Sequence, residues 1–109
     1  MTMEELVAVL NLTGIPFAYD HFAEGESPEP PFICYLLPGS DNFAADGRVY
    51  FKISQVRVEL YTDLKNLELE KKLEDVFDEE GIFYEKTEVW IQSEKLYEVL
   101  YSFEVPVTE

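Results

Sequence analysis

His21 is the one histidine and Cys34 the one cysteine, so a nucleophile–base pair would rest on these two or on a serine near His21. No Gly-x-Ser-x-Gly turn presents a serine. Cys34 lies inside the apolar run Phe32-Ile33-Cys34-Tyr35-Leu36-Leu37, where a thiol packs as a small hydrophobe. His21 reads as a solvated strand or loop side chain. Asp75, Asp78 and Glu79 recur at helical spacing and could hold a divalent cation. In a chain with 23 Asp and Glu such groupings arise by chance, and a solvated helix face is the better reading. The loop Asp41-Asn42-Phe43-Ala44-Ala45-Asp46-Gly47 lacks the alternating acids of a calcium loop. The five glycines are not clustered, so no phosphate-cradling loop is present. A lone cysteine permits neither an intramolecular disulfide nor a thiolate metal cluster. The expectation is a protein that is not an enzyme and takes no cofactor or metal.

The charge is the strongest compositional signal. Eight Lys and Arg against 23 acids leave −15 at pH 7. Nucleic-acid binding relies on basic side chains that displace phosphate counterions, so no direct nucleic-acid affinity is expected. Anionic membranes are disfavoured for the same reason. Glu4 and Glu5 precede Leu6 where a secretory signal would carry Lys or Arg, and no apolar run is long enough to span a bilayer. The expected compartment is the cytoplasm.

The elements that must position these residues fit one domain over residues 1–109. The length suits a single core, and 47 % hydrophobic residues with many aromatics can fill it. Thr2 and Glu5 have capping-box spacing ahead of a helix that Gly14 can stop. Phe17–Phe22 reads as a short strand, residues 23–31 as an acidic, proline-rich loop, and Phe32–Leu37 as a strand covered on both faces. Residues 39–47 read as a second loop. In residues 48–62 the apolar parity switches between Ile53 and Val56, which predicts a bulge or sharp bend near Ser54-Gln55. Thr62 and Asp63 can cap a second helix to Glu80, whose stripe Leu69, Leu73, Val76 and Phe77 faces the core. Its remaining faces carry Glu68, Glu70, Glu74, Asp75, Asp78, Glu79 and Glu80. A hairpin turning at Gln92–Lys95 closes the chain. The fold class is α+β: an antiparallel or mixed sheet of about five strands, two helices on one face, order α-β-β-β-α-β-β.

Three features favour assembly. Phe43 sits in a polar segment where it either anchors a partner or folds back over its own sheet. Arg48, Lys52 and Arg57 concentrate basic charge on the long strand, opposite in sign to the second helix, as a head-to-tail ring requires. Tyr50, Tyr61, Tyr84 and Trp90 fall off their strands' apolar parity or in mixed runs, as interface aromatics do, although helix packing also uses them. The candidate interface residues are Phe43, Arg48, Tyr50, Lys52 and Arg57.

Pro30–Tyr35, Asp41–Tyr50, Val58–Asp63 and Ser93–Val99, taken in order and spacing, resemble small tail-region proteins of long-tailed bacteriophages and prophages. The likeness is to tail terminator or tail-completion proteins and covers nearly the whole chain from Gly14. It implies a structural protein that forms a ring, commonly a hexamer, capping the tail tube and offering the head-joining surface. The implied partners are further copies of the chain, the tail tube protein and the head–tail connector proteins. The implied location is the host cytoplasm during assembly and then the head-proximal end of the virion tail. Another head–tail joining role fits the same segments. The alternative class is a monomeric acidic inhibitor that mimics nucleic acid, which the charge suits equally well.

Overall fold

The computed structural model describes residues 1–41, 43–45, 48–51 and 53–106, with residues 43–45 and 48–51 described for their backbone. The first helix, α1 (Met3–Asn11), starts at Thr2, whose hydroxyl oxygen accepts the Glu5 amide at 3.1 Å. The Glu5 carboxylate in turn lies 3.3 Å from that hydroxyl, so the Thr-x-x-Glu spacing does cap the helix, through the side chain of Thr2. Thr13 is buried: its hydroxyl donates to the Leu10 carbonyl at 2.7 Å and accepts the Ile15 amide at 3.2 Å. These bonds, with Gly14 at φ 71°, turn the chain into the sheet.

The strands are β1 (Phe17–Tyr19), β2 (Phe32–Ser40), β3 (Phe43–Ala45), β4 (Arg48–Phe51), β5 (Ser54–Thr62), β6 (Tyr84–Ile91) and β7 (Leu96–Val105). Five of them form a mixed sheet in the order β1-β2-β5-β7-β6. Only the β1–β2 pair is parallel among the described pairings of that sheet. The α+β class and the order α-β-β-β-α-β-β hold, with β3 and β4 adding a separate two-stranded sheet.

Residues 48–62 are therefore two strands in two sheets. β4 pairs with β3, and β5 pairs with β2 and β7, so the parity switch is a change of sheet between Phe51 and Ser54. The irregularity near Gln55 belongs to its neighbour: β2 slips between Leu36 and Gly39, where three steps oppose the two from Arg57 to Gln55. The segment 39–47 was expected as loop, but β2 runs on to Ser40 and β3 lies within it. The strand expected to reach Phe22 stops at Tyr19, where Asp20 takes φ 62°.

One face of the sheet holds the core. Ile33, Tyr35, Val56, Val58, Leu60, Val99, Tyr101 and Phe103 point to it, in register across β2, β5 and β7. Leu6 and Leu10 of α1 and Leu73 and Phe77 of α2 (Leu67–Glu79) complete it, each with no exposed surface. Both helices thus cover the same face, and Leu69 and Val76 flank the buried stripe. The cap of α2 is Asn66, which accepts the Leu69 amide at 3.0 Å, and not Thr62 or Asp63. Thr62 is the buried last residue of β5, and Asp63 accepts the Leu64 amide at 2.9 Å.

Candidate functional site

Of the five candidate interface residues, Phe43 stands on β3, Arg48 and Tyr50 on β4, and Arg57 on β5. Phe43 pairs with Phe51 and Arg48 with Ala45, so one small hairpin gathers three of the five. Lys52 lies outside the described residues, as do the side chains of Phe43, Arg48 and Tyr50. Arg57 belongs to the main sheet, on the face opposite the helices, because its neighbours Val56 and Val58 point into the core.

Arg57 is not a free cation. Its Nη2 lies 3.3 Å from Glu59 Oε2, and its Nε is buried with no hydrogen-bond partner among the described residues. Glu59 belongs to a cluster that the alternation of β5 and β7 places on this outward face. The Tyr61 hydroxyl lies 2.9 Å from Glu98 Oε2 and 3.2 Å from Glu59 Oε1, and its single proton serves one of them at a time. Burial, then the charge of Glu98, pushes the Glu59 carboxyl above its usual range, against the pull of Tyr61 and Arg57. Burial and the two carboxylates push the Tyr61 phenol upward as well, so it stays protonated. The stacking of Phe32 on Tyr61, ring centres 5.1 Å apart, fixes the ring.

A second charged cluster lies under α2, on the helix side of the sheet. Glu70 is 2 % exposed, although its helix position reads as a solvated face. Lys65 Nζ lies 2.6 Å from Glu70 Oε2 and Lys86 Nζ 2.8 Å from Oε1, while Lys65 also meets Glu88. At 2.8 Å the Lys86 ammonium pairs directly with the buried Oε1. Lys86 also reaches Glu74 at 2.8 Å, and the buried Tyr101 hydroxyl donates to the same Glu74 oxygen at 2.7 Å. Burial raises the Glu70 carboxyl, but Lys65 and Lys86 outweigh it and hold it below its usual range. This cluster bolts α2 onto β6 and β7, with Glu70 buried at its centre and Lys65, Lys86 and Glu88 partly exposed at its edge. Asn66, Glu70 and Lys86 were not singled out in the sequence; a carboxylate beside the core stripe with lysines on neighbouring elements was the available signal.

The remaining chemistry-bearing side chains stay apart. His21 Nδ1 sits 3.0 Å from Asp20 Oδ2 on an exposed loop. Cys34 is buried on the outward face, and desolvation with nearby Glu59 pushes its thiol up to about 11, the opposite of an activated nucleophile. Tyr84 packs on Phe77 and Tyr101 toward the core, whereas Trp90 is 41 % exposed and packs against Tyr97. Among the described residues no three His, Cys, Asp or Glu are grouped to hold a metal ion, and no helix is long and apolar enough to cross a membrane. The arrangement offers an apolar-acidic sheet face and a separate two-stranded hairpin. In comparisons with known proteins, no family model and no curated protein matched this chain.

Proposed function

We propose that this chain is a structural protein of the tail of a long-tailed bacteriophage or prophage, terminator-like, which assembles into a ring that caps the tail tube and presents the head-joining surface. The observation that carries the reading is the β3–β4 hairpin. It is a two-stranded sheet of its own, it holds Phe43, Arg48 and Tyr50, and it includes much of the segment Asp41–Tyr50 on which the resemblance rests. An isolated two-stranded sheet is marginally stable in water and gains from a partner surface. A sheet with two helices on one face also agrees with the fold that the resemblance implies.

The acidic charge has a use in such a ring. DNA must pass a tail lumen without adhering, and carboxylates repel phosphate. The cost is self-repulsion, because every subunit brings −15. Contacts that hold the ring must therefore be apolar or pair basic side chains with a neighbour's acids. Arg57 suits this poorly, given its bond to Glu59, so Arg48 and Lys52 are the basic residues assigned to the neighbour.

The test is a phage whose own copy of this gene is deleted and then supplied in trans. Deletion should leave tails that do not join heads, visible by electron microscopy, and wild-type protein should restore virions. A double variant, Arg48→Glu with Lys52→Glu, should stay folded yet fail to restore them. Normal virions from the deletion would overturn the tail role. Normal virions from the variant would overturn the interface. A chain that stays monomeric by light scattering and inhibits a DNA-binding enzyme would favour the nucleic-acid mimic.

A further inference from the structure

The sheet face away from the helices has a composition that water alone does not explain. A half-solvated antiparallel sheet alternates apolar residues inward with polar residues outward. Here the outward positions include Leu36 on β2, Leu96 and Leu100 on β7, and Val89 and Ile91 on β6. Val89 is 52 % exposed, and the other four are half-buried. Two depressions open at opposite ends of this face. One, of about 490 Å³, lies between Pro38, Arg57, Phe83 and Glu85; the other, of about 290 Å³, lies between Cys34, Tyr61, Ile91 and Leu96. Phe83, at the rim of the first, is 89 % exposed.

The charge on this face is one-sided. Glu59, Glu85, Glu98 and Glu104 occupy outward positions with Arg57 as the cation among the described strand residues there, and Arg57 already leans on Glu59. Glu59 and Glu98 share one phenolic proton, and Arg57 donates to Glu59 alone, so Glu98 has no other side-chain donor among the described residues. An incoming ammonium or guanidinium group would supply what the chain does not.

We infer that this face docks a basic amphipathic helix of a partner protein, with its apolar stripe on Leu36, Leu100 and Val89 and its Lys or Arg side chains on the flanking glutamates. The width fits: four strands about 4.8 Å apart span roughly 14 Å, room for one helix about 10 Å across. A second copy of this chain is the poorer occupant, since it returns −15 to a face that is already acidic. An acidic or phosphate-bearing ligand is repelled. This inference does not rest on the phage reading.

The probe is a helix-forming peptide of leucine and lysine of about 18 residues, five helical turns, compared with one in which glutamate replaces lysine. Amide NMR shifts of the intact wild-type chain locate the contact. The Leu/Lys peptide should bind with shifts centred on Leu36, Leu100 and Val89, and the Leu/Glu peptide should not bind. Glu59→Gln with Glu98→Gln should weaken binding by about tenfold, a change of ~1.4 kcal/mol. Glu79→Gln with Glu80→Gln, which removes the same net charge from the end of α2, should change it less than about twofold. Shifts confined to the helices, equal weakening by both pairs, or no binding would overturn the inference. So would self-association of the free protein that moves the same amides, because the face would then belong to a second copy. The wild-type footprint decides the matter even where a variant loses its fold.

Discussion

Leu73 and Phe77 have no exposed surface, and Phe77 sits within 5.7 Å, ring centre to ring centre, of Tyr84, Tyr101 and Phe103. Truncating either to alanine removes dispersion contacts and leaves a cavity that the sheet below cannot fill. Each variant should lose about 2–5 kcal/mol in denaturant unfolding, and a loss under about 1 kcal/mol for both would mean that α2 buries another stripe. Tyr101 tests a polar contact at the same place. Its hydroxyl donates to Glu74 at 2.7 Å from a fully buried ring. Tyr101→Phe keeps the ring and deletes the charge-assisted bond, so it should cost ~1.5–3 kcal/mol. An unchanged midpoint would show that Lys86 alone satisfies Glu74.

At the scale of elements, the acidic proline loop changes meaning once β1 is seen to run parallel to β2. As a sequence, residues 23–31 look dispensable, with few groups to bury. In the fold they belong to the crossover between two adjacent parallel strands, and such connections need a dozen or so residues. Residues 20–31 supply that length. Deleting 23–31 should detach β1, seen as fast hydrogen exchange at Asp20 and Ile33, whose amides bond to Tyr35 and Pro16 carbonyls. Replacing the same residues with Gly and Ser at equal length should leave exchange there slow. Equal protection in both variants would mean that the length is not needed. The element order was legible because apolar periodicity changes at each boundary, and the stripe Leu69–Phe77 is set by helical geometry alone. The parallel pair was not legible, since three residues of β1 carry no sign of strand direction. The parity switch after Ile53 was visible, but whether a kink or a change of sheet relieves it depends on partners far along the chain. The outward cluster was hidden for a similar reason: Glu59 and Glu98 are 39 positions apart and meet only through the β5–β7 register. Among so many acids, neither one stands out.

Across the whole molecule, the same residue type does opposite work on the two faces of the sheet. Under α2, Lys65 and Lys86 outweigh desolvation and hold Glu70 below its usual range. On the outward face, desolvation and Glu98 hold Glu59 above it. By linkage, a carboxyl depressed in the folded state contributes stability above its unfolded pKa, and that stability is lost as pH falls through its folded value. A carboxyl raised in the folded state has the reverse sign: it costs stability above its folded pKa, and the cost disappears as pH falls toward the unfolded value. Glu70→Gln should therefore destabilise the protein more at pH 7 than at pH 3, because at pH 3 the wild type has begun to lose the ion pairs too. Glu59→Gln should gain on the wild type as pH rises from 3 to 7, because it never carries the charge that the wild type must place beside Glu98. The measurement is the urea midpoint of each variant relative to wild type across this window, at fixed salt. It cancels the self-repulsion of a chain at −15 to first order, since both variants shed one unit of the same charge at neutral pH. Parallel pH profiles for the two variants would show that net charge governs both. Profiles of opposite slope would show that the helix side of the sheet is held by its carboxylates, while the outward side carries its own at a cost that a basic partner would relieve.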